Sequence, residues 1–495
     1  MISRRAMLSL PLACVAAAAV GQPAWGPDAP ALTLGLSLRP DSLDPTSSSA
    51  AVVGEVVHGN ILEGLTCIRE NGQVAPLLAS RWDVSLDQLR YQFQLRDDVV
   101  FHDGARLTAQ VVAASLLRAQ QLGSANSLME TFRNIQEIQT LDEQTVRLVL
   151  KRPDPLLPFR LGQSPAVIVH PSTSDQLAYQ PVGTGPYLFA GWETADSLQL
   201  MRWSGYREAS RIQISTAKFQ FIPDPEKQVR AVLDRRIDVL FGAATSSVDR
   251  LLDSRQYEVL VGGSSGKGMV AINNRRAPLH DVRVRRAIMH SIDREAFIRD
   301  VLHRRARAIG SHFVPTDPDY IRLTGLFPYN PDQAKLLLRE AGVRLPLTLK
   351  LALPPTPYAL LGGPVVAAYL AAVGIRTELV RMPWNQWMST VFQGDFDVSL
   401  ILHVEPLDYA IYTRPDFYFG YDNAGYRALE ARHGATANPR ERSQLFRQMQ
   451  RYLAEDAVNA WIFTPSISTV VRKGLKGVPM NYPIFAHDIG AMHWT

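Results

Sequence analysis

Pro181-Val182-Gly183-Thr184-Gly185-Pro186-Tyr187-Leu188-Phe189 sets two prolines and two glycines among its first six residues. Proline holds φ near −65° and offers no N–H, while glycine admits backbone that other residues avoid, so this stretch is pinned, irregular chain. It lies between segments that read as extended, and Ser197 to Arg202 beyond it reads as a strand.

Working outward, Ala31 to Leu38 alternates large and small apolar residues and breaks at Arg39-Pro40-Asp41, as a strand running into a loop does. Ala51 to Leu62 has the apolar spacing of a helix. From Arg81 to Phe101 the period is two, with Tyr91, Phe93 and Leu95 on one face. The turn His102-Asp103-Gly104 follows, with His102 expected to cap it. Thr108 then caps a helix whose apolar face holds Val111, Val112, Leu116 and Leu117. Val146 to Leu150 is a further strand, Pro225 to Leu233 a helix, and Asp238 to Phe241 a short strand. Tyr257 to Val261 and Met269 to Ile272 are strands separated by glycine and serine, and helical spacing resumes at Val282. This alternation predicts an α/β fold of mixed sheets flanked by helices. No internal repeat is visible.

A chain of 495 residues is too long for one hydrophobic core. Its 46% hydrophobic and 20% charged residues fit neither a disordered nor a membrane-spanning protein. The net charge of +5 is spread among carboxylates without a basic stripe interleaved with aromatics, so no nucleic-acid partner is expected. Arg4 and Arg5 precede an uncharged apolar run from Ala6 to Val20, which reads as an export signal over 1–26, of either the Sec or the twin-arginine type. Cleavage removes Cys14 and leaves Cys67 alone, so no disulfide forms within the chain.

Gly262-Gly263-Ser264-Ser265-Gly266 matches the G-x-S-x-G string of serine hydrolases. A nucleophile elbow turns from strand into helix, whereas Lys267 to Ile272 reads as a second strand, so a secreted hydrolase using Ser264 is only the competing class. No H-E-x-x-H, C-x-x-C or G-x-x-x-x-G-K-[ST] string occurs. Between Arg381 and Tyr426 aromatic and ionisable residues crowd together: Trp384, Trp387, His403, Glu405, Asp408, Tyr409, Tyr412, Phe417, Tyr418, Phe419 and Tyr421. Such density predicts a small-molecule cleft.

Four segments then line up with one family. YQFQLRDDVVFHDGARLTA (Tyr91 to Ala109), PVGTGPYLF, NNRRAPLHDVRVRRAIMHSIDREAFI (Asn273 to Ile298) and YNPDQAKLLLREAG (Tyr329 to Gly342) make the chain resemble the family 5 extracellular solute-binding proteins, which serve peptide, nickel and related importers. The resemblance implies a two-lobed periplasmic binding protein with crossing strands as its hinge and an extra small domain in the first lobe. It places the first lobe at 27–62, 182–265 and 475–495, the inserted domain at 63–181 and the second lobe at 266–474. It implies a monomer that traps a small molecule or peptide between its lobes and delivers it to an ABC permease in the inner membrane, without catalytic residues, cofactor or resident metal.

Carried over residue by residue, Trp384 matches a tryptophan that lines the pocket in peptide-binding members. His403 stands where those members have a second tryptophan, and the run His403-Val404-Glu405-Pro406-Leu407-Asp408 lacks their W-x-x-D pattern. Glu405 or Asp408 is then expected to take the acidic role, which favours an amine-bearing solute. Tyr412 is placed in the same pocket, and Arg39 is expected to hold a ligand carboxylate. His403 with Glu405, two apart on a strand, gives a second reading as a metal-chelate site.

Overall fold

Two strand-to-strand crossings set the architecture of the computed structural model, which describes residues 30–48, 50–121, 126–243, 245–436 and 438–495. The export signal expected over 1–26 lies outside the described residues. Tyr257–Gly262 ends in one sheet and Lys267–Ile272 begins in another; Ala460–Pro465 leaves the second sheet and Ile467–Arg472 enters the first. The outgoing and returning chains are paired on both sides of the crossing, with Gly262 opposite Ile467 and Gly268 opposite Phe463. Gly262 is required there, since a Cβ would fall 1.5 Å from the carbonyl oxygen of Met480.

The first sheet has seven strands in the order Tyr257–Gly262, Ile467–Arg472, Val239–Leu240, Ala31–Leu36, Thr216–Phe221, Ser197–Arg202 and Tyr187–Thr194. The second has six: Ala306–Ala308, Ala460–Pro465, Lys267–Ile272, Val398–His403, Leu347–Leu353 and Ile375–Arg381. Both mix parallel and antiparallel pairs, as the βα alternation predicts. A third sheet of four antiparallel strands, Ala79–Val84, Arg90–Leu95, Thr145–Leu150 and Ile135–Asp142, builds a separate core on Tyr91, Phe93 and Leu95.

One expected boundary moves. Ile467–Arg472 reads as part of a second lobe ending at 474, yet it pairs with Tyr257–Gly262 and Val239–Leu240, so the second lobe ends at the return crossing beside Ser466. Two helices also differ. The helix at Ala51 stops at Val57, because Gly59 has a φ of +74° and turns the chain. On Ala109–Gln121, Val112 and Leu116 are buried but Leu117 is 48% exposed, one position past the stripe.

The opening segment is held by its neighbours. A Cβ on Gly183 would lie 1.9 Å from the carbonyl oxygen of Ile61, so the chains can meet only at glycine. The N–H groups of Gly185 and Tyr187 donate to the carbonyls of Ile61 and Asn60, at 3.0 and 2.9 Å. Thr184 donates to Glu63 (2.8 Å), and Arg207 grips the same carboxylate with two bonds of 2.7 and 2.8 Å. His102 does not cap its own turn. Its Nδ1 accepts from Gly183 N–H (3.3 Å) and its Nε2–H donates to Gly185 O (3.0 Å), so both ring nitrogens are used by the neutral tautomer. Burial pushes this imidazole down to about 4.

Candidate functional site

A cleft of about 860 Å³ opens where the first lobe, the four-stranded domain and the second lobe meet. The loop 404–411 forms one wall. Arg152, Asp154 and Arg160, which follow the strand Thr145–Leu150, stand on another, and Gly54 and Phe485 close the first-lobe side. Asp154 is buried and paired with Arg160. Arg152 is exposed and, among the described residues, no carboxylate pairs with it. Glu405 is exposed in the same cleft; its carboxylate accepts only the N–H of Val404, at 3.2 Å, and no cation pairs with it among the described residues. Charges of both signs that are in no salt bridge among the described residues thus line one cleft, with Glu430 close enough to Arg152 to feel its charge.

Asp408 also lines the cleft, but it is already satisfied from within. Lys267, 2% exposed, donates to Asp408 Oδ1 at 2.8 Å and to the carbonyl oxygen of Glu405. His312 Nε2–H donates to the same Oδ1 at 2.8 Å, and His403 Nδ1 lies 3.4 Å from Oδ2. Behind them, Asn459 donates to the Tyr412 hydroxyl (3.1 Å), which donates to His312 Nδ1 (2.9 Å); Tyr418 lies 2.7 Å from His403 Nε2. Burial alone would raise the Asp408 carboxyl, but His312 and Lys267 outweigh it and hold it well below the usual carboxylate range. Burial pushes His312 down to about 4, so the imidazole is neutral and Lys267 supplies the compensating positive charge. Near the same lysine, burial pushes the Asp317 carboxyl up to about 6.

The expected site residues therefore scatter. Glu405 and Asp408 reach the cleft, and only Glu405 is free to meet a ligand charge. His403 sits behind Asp408 and shares it with His312 rather than with Glu405. It ends the strand Val398–His403, so the two-apart geometry of a strand does not extend to Glu405. Tyr412 is 1% exposed and acts through His312, not on the cleft. Trp384 is 47% exposed and stacks on Trp387, ring centroids 5.2 Å apart and 7° from parallel, away from the cleft lining. Arg39 lies over the ring of Trp192, 4.8 Å from its centroid, and does not line the cleft.

Of the aromatics of 381–426, only Tyr409 is among the residues that line the cleft. Trp387, Tyr409, Tyr412, Tyr418, Phe419 and Tyr421 are buried in the second-lobe core, where Tyr412 stacks on Phe419 (5.4 Å, 15°) and Tyr418 leans on Phe419 (4.2 Å). Sequence reasoning passed over Lys267, His312 and Arg152. Of these only Lys267 carried a signal, as a charged residue opening a strand that is otherwise apolar throughout.

Ser264 lies in the crossing itself. Its hydroxyl donates to the carbonyl of Pro465 at 2.8 Å, and the chain continues into Lys267–Ile272 rather than a helix, so the geometry of a nucleophile elbow is missing.

The sequence matches the family described as bacterial extracellular solute-binding proteins, family 5 (middle part), over residues 73–423. A glutathione-binding protein of Pectobacterium atrosepticum is 25% identical over 332 residues, 66% of this chain and 64% of the relative, so the chain spans somewhat less than two thirds of that protein. A di/tripeptide-binding protein of Pseudomonas aeruginosa is 26% identical over 399 residues, 73% of this chain and 74% of the relative. Among solved structures, HbpA2 of Haemophilus parasuis superposes with a TM-score of 0.83 at 19% identity, covering 94% of this chain and all of that one (100%), which shows a shared fold.

Proposed function

Because this chain belongs to the family 5 bacterial extracellular solute-binding proteins, we propose that it captures a peptide-like or other amine-bearing solute in the cleft between its lobes. The single observation that carries this reading is that one cleft is lined by an exposed carboxylate, Glu405, and an exposed guanidinium, Arg152, neither held in a salt bridge among the described residues. A zwitterionic ligand offers an ammonium to one and a carboxylate to the other. The cleft, about 860 Å³, is of the size that holds a small molecule, roughly 300–1,000 Å³. Relatives named for glutathione and for di- and tripeptides point to the same chemistry.

In this reading the protein is exported to the periplasm, works as a monomer and hands its closed form to an ABC permease. The paired crossings beside Ser264 and Ser466 are the hinge, and the ligand drives closure by binding the closed state more tightly than the open one. No bond is made or broken, and Ser264 serves the crossing.

Native mass spectrometry of protein purified without refolding, followed by thermal unfolding with a panel of di- and tripeptides, tests this. A true ligand at a hundredfold excess over its Kd stabilises the protein by ~2.7 kcal/mol and is recovered unchanged. Turnover that disappears in Ser264→Ala overturns the reading.

A further inference from the structure

Lys267 opens the strand that enters the second lobe, and all six residues of that strand are buried. His312, His403 and Asp408 each offer a donor atom, and these atoms lie within 4.8 Å of one another. Two imidazoles and a carboxylate are a donor set suited to zinc or nickel. The ammonium of Lys267, 2.8 Å from Asp408 Oδ1, already stands where such an ion would share that carboxylate. A divalent ion there would meet a buried like charge that has no route to solvent, since Lys267 is also tied to the carbonyl of Glu405.

We propose that Lys267 is a tethered cation that fills the His312, His403 and Asp408 site and so excludes divalent metal ions from this wall of the cleft. The lysine is a specificity-determining residue. It withdraws Asp408 from any ligand and leaves Glu405 and Glu430 as the cleft carboxylates outside any salt bridge among the described residues. The cluster's geometry carries this inference independently of which solute the cleft takes.

Isothermal titration of the untagged protein with Zn²⁺ alone, in a non-chelating buffer, tests it. The parent should show no one-to-one uptake. Lys267→Met should take one Zn²⁺ per chain at least 100-fold more tightly, and adding His312→Ala should abolish that gain. A Lys267→Met protein that unfolds cooperatively and binds no Zn²⁺ overturns the proposal. The parent arm decides even where no Lys267 variant folds: parental one-to-one uptake that His312→Ala removes also overturns it. Peptide binding by the parent, measured in parallel, separates failure of this proposal from failure of the solute-binding reading.

Discussion

The Glu63 and Asp408 regions use the same parts for different ends. Each buries a carboxylate against a cation, Arg207 at one and Lys267 at the other, and each sets a neutral histidine nearby, His102 or His312. Around Glu63 the network runs through Thr184 to the backbone of Gly183 and Gly185, which His102 bonds, and Glu63 and Thr184 are fully buried. Around Asp408 the network backs onto open space, because Asp408 and Glu405 line the cleft. The first is scaffold; the second backs the wall of a cleft, the one proposed to hold the solute.

The sharpest way to break this comparison is to neutralise each carboxylate in turn. Glu63→Gln leaves Arg207, whose side chain is only 4% exposed, without its bidentate partner; removing one member of a buried pair costs about 3–5 kcal/mol. Asp408→Asn should cost less, because the carbonyl of Glu405 and the nearby Asp317 still face Lys267. Urea unfolding at pH 7 measures both. Equal losses would mean that the two regions are equally structural and that the cleft-side network has no slack.

How far the two regions could be read in advance differs for a physical reason. Glycine and proline restrict their own backbone, so PVGTGPYLF announced an irregular passage before any partner was known. The family motifs imply two lobes joined by crossing strands, and the crossings are seen at 262–267 and 465–467, although Ile467–Arg472 pairs in the first sheet rather than the second. The network at Asp408 is assembled from residues 141 and 96 positions away, Lys267 and His312, with no local spacing to reveal it. Aromatic density between 381 and 426 misled because rings that stack on each other, such as Tyr412 on Phe419, look in sequence like rings that await a ligand. Arg39 misled because a strand end reads alike whether it faces the cleft or, as here, Trp192.

Acid provides a second test with a definite sign. His102 and His312 are both pushed by burial from an ordinary 6.5 to about 4, so the unfolded chain binds protons there before the folded one does. Their contribution is full above about pH 6.5 and is lost as pH falls through about 4. At ~1.36 kcal/mol per pKa unit, each is worth roughly 2 to 3 kcal/mol between pH 7 and pH 4. His58 and His433 share the direction and the value, so the parent should lose stability steeply on this limb. His102→Gln and His312→Gln should each flatten it in urea titrations at pH 7, 5.5 and 4.5. A slope unchanged in His312→Gln but reduced in His102→Gln would show that the cleft-side histidine is hydrated and that only the scaffold buries its imidazole.

The mildest change should separate binding from stability altogether. Glu405 is exposed, pairs with no cation and accepts one bond from its own neighbour, so Glu405→Gln should alter unfolding free energy by less than about 0.5 kcal/mol. A charge-assisted contact to a ligand ammonium is worth more than a neutral one by about 1.4 kcal/mol, a tenfold change in Kd. Arg152→Gln should weaken the same ligand through its carboxylate, and a peptide amide lacking that carboxylate should not feel the change. Asp408→Asn, by contrast, should lose stability while altering affinity less than Glu405→Gln does, because its charge is already spent on Lys267. If affinity follows Asp408 and ignores Glu405, the lysine is displaced on binding, and the wall that holds the ligand is the one that looked closed.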